Sequence, residues 1–198
     1  MYHTETKTAV MPFADFLTRY REPERFLPYC KACRNYGALW SCPPLEVDAN
    51  AVLAGFAKAQ IVAVKIVYDA QTIAEADTAE KVNAVTFKSL QAVKSRLFEA
   101  MLEAEAQSPG SRSFSSGGCH LCASCTRPEG KPCRQPQRMR YSLDAFGFDL
   151  TRIAQDALGI ELQWPKQGLP AYYTLVHALL TKESADCLRD VAKLEFGE

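Results

Sequence analysis

Seven of the eight cysteines of this 198-residue chain fall into two short groups, and thiolates at such spacings are ligands for soft metals. The first group is Cys30, Cys33 and Cys42, separated by two and then eight residues and followed by Pro43-Pro44. The second is Cys119, Cys122, Cys125 and Cys133, with gaps of two, two and seven residues. Two successive gaps of two bring three sulfurs around one point from a short loop. A cubane iron–sulfur cluster needs four sulfurs at the corners of a compact body. Bacterial ferredoxins supply them as three cysteines at two-residue intervals plus one beside a proline. Here Cys133 follows Pro132, with Pro136 three residues on. The long last gap means that the chain wraps differently.

Zinc is the competing ion. Structural zinc takes two pairs of cysteines, each with two residues between, set apart by a longer stretch. Three cysteines in a row at that spacing leave one thiol spare, so the second group reads as a [4Fe-4S] site. The first group suits zinc better. Thiol redox chemistry is a third option for both. Cys187 stands alone, at helical spacing with Leu188 and Val191, and reads as a small buried hydrophobe.

Two fully thiolate-bound cubanes need eight sulfurs, and the groups supply seven. The missing ligand of the first group is then His120, a side-chain carboxylate or a small molecule. An iron without a protein thiolate is a Lewis-acid site. The first group is therefore the candidate for chemistry, of a redox or lyase/desulfidase-like kind, and the second for electron transfer. Ligands crossing between the groups, as in two-cluster ferredoxins, stay open.

From Cys119 to Arg140 five cations (Arg127, Lys131, Arg134, Arg138, Arg140) face one acid, Glu129, a local excess of four on a chain of zero net charge. Cations beside an anionic cluster stabilise it. The same arginines would also suit an anion or phosphate, or simply a solvated loop. Tyr36, Gly37 and Trp40 read as an aromatic wall or as packing under a turn. Gly117-Gly118 reads as a turn or a close backbone approach. His120 follows a ligand and should point away from it. His177 reads as a satisfied core or surface histidine, and His3 lies in a tail. Asp144 and Asp149 are candidates for proton transfer, Asp149 more simply as a helix cap and Asp144 as a first-turn acid. No nucleophile elbow, phosphate-binding glycine loop or dinucleotide fingerprint is present, so nothing supports an ATP- or NAD-dependent reading.

At these motifs the chain resembles a known family. Cys30-Lys-Ala-Cys33-Arg-Asn-Tyr36-Gly37-Ala-Leu-Trp40-Ser-Cys42-Pro43-Pro44 is similar to the first signature of a prokaryotic family of predicted metal-binding proteins. Cys119-His-Leu-Cys122-Ala-Ser-Cys125 with Pro132-Cys133-Arg134-Gln-Pro136 is similar to the second, and Arg140 to Asp149 to its continuation. The departures are the residue before Ser142, where the pattern has Pro, and Asp144, where it has Glu. The similarity spans about residues 28 to 180. It implies metal binding by the seven clustered cysteines and names no reaction.

The elements that must position these groups are helices interspersed with a few strands. A helix over 12–21 starts at Pro12, and another from Asp48 to about 58 carries Val52, Leu53 and Phe56. Residues 60–68 form the best strand. Asp77-Thr-Ala-Glu80 opens a long helix to about 106, stopped by Ser108-Pro109-Gly110. A short strand over 112–116 leads into the second cysteine loop, and Asp149 caps a helix ending at Gly159. Ile160–Trp164 and Tyr172–Thr181 read as strands, and the stretch from Ser184 as a terminal helix. This pattern predicts one α/β or α+β domain over 1–198, a small mixed sheet flanked by helices, with cysteine loops at about 28–47 and 117–140 together at one edge.

The composition is 47% apolar and 23% charged, which excludes wholesale disorder. Neutrality argues against a nucleic-acid partner. No apolar run approaches a membrane span, and no basic-then-apolar start suggests a signal peptide. The expected setting is the reducing cytoplasm, with a redox protein or a small molecule as partner.

Overall fold

The computed structural model of the chain describes residues 1–164, 168–182 and 187–196. The fold is α+β, built on one four-stranded sheet in the order β1-β2-β4-β3. These strands are Tyr2–Pro12, Lys58–Tyr68, Arg112–Phe114 (β3) and Tyr172–Thr181 (β4), and each neighbouring pair is antiparallel.

The central strand, β2, is apolar on both faces because both are covered. Ala59, Ile61 and Ala63 join Val176, Ala178 and Leu180 of β4 in one core, closed by α1 (Phe13–Tyr20). Phe16 of α1 stacks on Phe148 at 4.7 Å. Val62, Val64 and Ile66 join Leu175 and Leu179 in a second core, under the long helix α5 (Ala79–Ala106). The sheet is thus the middle layer of three.

The first strand corrects the reading of the N-terminus as a tail. Residues 2–12 pair with β2 along their length, from Tyr2 opposite Tyr68 to Pro12 opposite Lys58, and His3 lies within the ladder. Pro12 is then the N-cap of α1, its backbone still extended (ψ 136°).

Helix α2 (Pro23–Ala32) was not expected, since Pro28 lies inside it. It carries Cys30, so the first cysteine segment begins on a helix rather than in a loop. Pro23 sits where the helix has no donor to lose. Gly147 lets α2 approach: a Cβ there would stand 2.4 Å from the Pro23 Cα.

Asp48 caps α3 (Ala49–Leu53), accepting from the Asn50 N–H at 2.8 Å, and the helix ends sooner than expected. A short helix, α4 (Ala70–Glu75), precedes α5. Thr78 rather than Asp77 caps α5, accepting from Lys81 N–H at 3.3 Å, while Asp77 pairs with the Lys81 ammonium at 2.8 Å. Asp149 caps α6 (Leu150–Arg152) as expected, through the Arg152 N–H at 3.0 Å. The helix then widens into a π turn over Ile153–Ala157, and Gly159 (φ 62°) follows.

Residues 160–164 are not a strand. Ile160 and Leu162 turn into the first core instead, and Tyr172 Oη donates to the Glu161 carbonyl at 2.6 Å. The expected terminal helix starts in 183–186, outside the described residues; beyond them a single 3₁₀ turn forms at Val191–Lys193. Among the described residues no helix is long and apolar enough to cross a membrane.

Candidate metal centre

The second cysteine segment leaves the sheet directly from the edge strand β3. Its neck is closed by backbone bonds: Ser115 N–H to the Tyr141 carbonyl at 3.0 Å, and Leu143 N–H to the Ser115 carbonyl at 2.8 Å. Inside, Thr126 holds the turn, its hydroxyl donating to Pro132 O at 2.8 Å. Cys119, Cys122, Cys125 and Cys133 are half-buried and line one cavity of about 220 Å³. Leu39 and Trp40 from the first segment complete it, with Leu121 and Met139.

Polar hydrogens already face these sulfurs. Gln135 N–H points at Cys133 Sγ at 3.4 Å, and Gln135 Nε2 at Cys122 Sγ at 3.7 Å. The Leu121 N–H bonds Cys119, although burial outweighs it and raises the Cys119 thiol pKa. Such donors stabilise a deprotonated sulfur and tune any metal it holds.

In the first segment, Cys30 lies in the last turn of α2 and Cys33 follows the helix, exposed, with Asn35 N–H at 3.5 Å from Cys33 Sγ. The chain then turns at Gly37 (φ 66°), whose N–H bonds Pro43 O at 2.8 Å. Cys42 is buried, and burial pushes its thiol up to about 11, with Asp144, Cys33 and Cys30 adding to the shift.

The two segments are locked together. Arg127 Nη1 donates to the carbonyls of Leu39 at 2.7 Å and Cys42 at 2.6 Å, and Nη2 donates to that of Pro44. The guanidinium also lies 5.1 Å from the centre of the Trp40 ring, whose Nε1 donates to Lys131 O at 3.3 Å. Ser41 Oγ accepts the Cys119 N–H at 2.9 Å. Gly118 allows the contact: a Cβ there would meet Leu39 Cδ1 at 2.3 Å and Asn35 Nδ2 at 2.9 Å. The glycine pair thus serves a close approach between the two segments.

The cation between the two groups is one the sequence reading missed. Lys94, on α5, donates to the Gly118 carbonyl at 2.5 Å and acts electrostatically on Cys119, Cys42 and Asp144. Its signal was present: it lies between Leu90, Val93 and Leu97, in the apolar stripe of the helix.

The five cations of the second segment have other work. Lys131 pairs with Glu129 at 2.7 Å, Arg138 with Glu99, and Arg140 bidentately with Glu105 at 2.7 and 2.8 Å. Arg134 donates to the Ser124 carbonyl at 2.9 Å, and Arg127 clamps the first segment. The local positive excess is therefore largely met by α5 acids and by carbonyls.

His120 turns away as expected, edge-on to Phe98 at 5.1 Å. His177 is buried, but it is not fully satisfied: its Nε2 has no partner, and burial lowers its pKa to about 3. Cys187 packs against the second core, its N–H bonded to Gln60 Oε1 at 2.8 Å. Among the described residues no three His, Cys, Asp or Glu side chains close on a single point as an ion-sized cage.

A family model described as Predicted metal-binding protein (DUF2284) matches residues 21–180, a span that takes in both cysteine segments. No curated protein and no solved structure matches the chain.

Proposed function

The chain belongs to the DUF2284 family of predicted metal-binding proteins, and from that membership we propose that it is an iron–sulfur protein that carries electrons. A four-iron cluster is held by Cys119, Cys122, Cys125 and Cys133, and the first group holds a second metal centre. The observation that carries this reading is the shared cavity. Four thiols line about 220 Å³ of space, against the ~10–15 Å³ that one water needs on the same measure. A single zinc ion held by four sulfurs at ~2.3 Å needs far less room than this. An eight-atom inorganic cube suits it better.

When bound, such a cluster supplies one-electron transfer at a potential set by hydrogen bonding and burial. The protein's part is to fix both. Gln135 and Leu121 direct N–H groups at the sulfurs, Lys94 offsets their charge, and Leu39, Trp40 and Met139 exclude water. An open groove of about 480 Å³ adjoins the cavity and shares Trp40, Cys133 and Met139 with it. A redox partner or small electron carrier docked there would lie beside Cys133. The reducing cytoplasm is the compartment that keeps these thiols available.

The test is anaerobic purification followed by metal and acid-labile sulfide analysis. The expected result is brown protein with iron and sulfide in equal amounts, ~4 per cluster. Colourless protein with stoichiometric zinc would instead make it a zinc-stabilised binding module without catalysis.

A further inference from the structure

The first cysteine group has three sulfurs, and the fold brings a fourth donor to it. Asp144 opens a 3₁₀ turn (Asp144–Phe146) against which α2, the helix of Cys30, packs. The same stretch is fastened beside Cys42, because Ser142 N–H donates to the Ser41 carbonyl at 3.1 Å. The turn of Asp144 is thereby set close to the helix that carries Cys30 and to the loop that carries Cys42.

Its hydrogen bonding is incomplete. Its own N–H and that of Ala145 approach the carboxylate, as expected of an acid at the start of a turn. Oδ1, however, is buried with no hydrogen-bond partner. Among the described residues no ion pair holds Asp144, and Lys94 acts on it electrostatically. A buried carboxylate oxygen left without a partner is costly unless something binds it. A metal at this place would give that oxygen its partner.

We propose that Asp144 is the fourth protein ligand of a metal cluster held by Cys30, Cys33 and Cys42. The inference rests on the iron–sulfur reading above. It gives this group a donor set of three sulfurs and one oxygen, drawn from α2, the loop after it and the turn after the second cysteine segment. Iron takes carboxylate as well as thiolate ligands, and the oxygen-bound corner is the most exchangeable of the four. The site is closed by the protein at rest rather than left open.

The experiment uses the full chain, reconstituted anaerobically with ferrous iron and sulfide, as wild type, Asp144→Ala and Asp144→Cys. Iron, sulfide and the electron paramagnetic resonance spectrum are read for each. Asp144→Ala is expected to keep its sulfide, to hold about one iron fewer than the ~8 of two full clusters, and to show a three-iron signal after mild oxidation. Asp144→Cys is expected to regain the missing iron and to give a reduced-state signal displaced from that of wild type. The cluster at Cys119, Cys122, Cys125 and Cys133 reports whether each variant has folded. Asp144→Ala matching wild type in iron and signal would overturn the inference, as would an unshifted Asp144→Cys spectrum. Wild type taking up neither iron nor sulfide would sink the underlying reading instead.

Discussion

Arg127 in the second cysteine segment donates to the carbonyl of Cys42 in the first, at 2.6 Å, across 85 residues of chain. One planar side chain thereby fixes the distance between the two thiol groups. Its other bonds, to Leu39 and Pro44, span the turn that carries Cys42. Only a guanidinium has enough donors in a rigid fork to do this.

Replacing Arg127 by Ala should therefore loosen the contact between the segments. The expected cost is about 1.5–3 kcal/mol, the range for a hydrogen bond to a charged group, in denaturant melts of the metal-loaded protein. Arg127→Lys should recover less than half of it, since one ammonium cannot reach three carbonyls. Full recovery by lysine would show that charge alone matters there.

Gly118→Ala places a methyl group where Leu39 and Asn35 now stand. The expected loss is about 1–3 kcal/mol, as for overpacking. Because the nearest atom belongs to a side chain, Leu39→Ala should partly rescue it. A double-mutant cycle measures this directly. Strict additivity of the two changes would mean that the segments do not press on one another at this glycine.

His177 sets an acid limit on stability. It lies between Leu175 and Leu179 on the face of β4 that packs under α5, buried, with Lys94 and His120 as its charged neighbours. Its folded pKa, about 3, is below the ordinary 6.5, so the unfolded chain binds the extra proton. Stability from this group is present above pH ~6.5 and is lost as pH falls toward ~3, at up to ~1.4 kcal/mol per pH unit. Wild type should lose roughly 2 kcal/mol more than His177→Gln between pH 7 and pH 5. Parallel stability curves for the two proteins would contradict this.

Much of the frame was legible in the sequence. The β-branched run of β2, the apolar spacing of α5 and the Asp149 cap are local signals, and each produced the expected element. Strand β1 was not legible because its half-buried positions include Thr4 and Thr6 and its exposed ones His3, Glu5 and Lys7, so that both faces look polar. Helix α2 was hidden by Pro28, and residues 160–164 looked like a strand because their apolar side chains serve the core without a ladder. Within the site, residue types and spacing marked the cysteines. The contacts that join the two groups, from Arg127, Ser41 and Lys94, link positions far apart in the chain. The partners of Arg138 and Arg140 also lie on α5, so the basic stretch looked freer than it is.

Cys125 offers the sharpest test of the central claim, that four thiols of one cavity hold an iron–sulfur cube. It is the thiol for which a zinc knuckle has no use. Iron and acid-labile sulfide should be measured, without exposure to air, in wild type and in Cys125→Ala. The account predicts that the variant loses most of one cluster's complement, ~4 iron and ~4 sulfide, while any metal at Cys30, Cys33 and Cys42 stays. A variant with the same metal and sulfide content as wild type would contradict it.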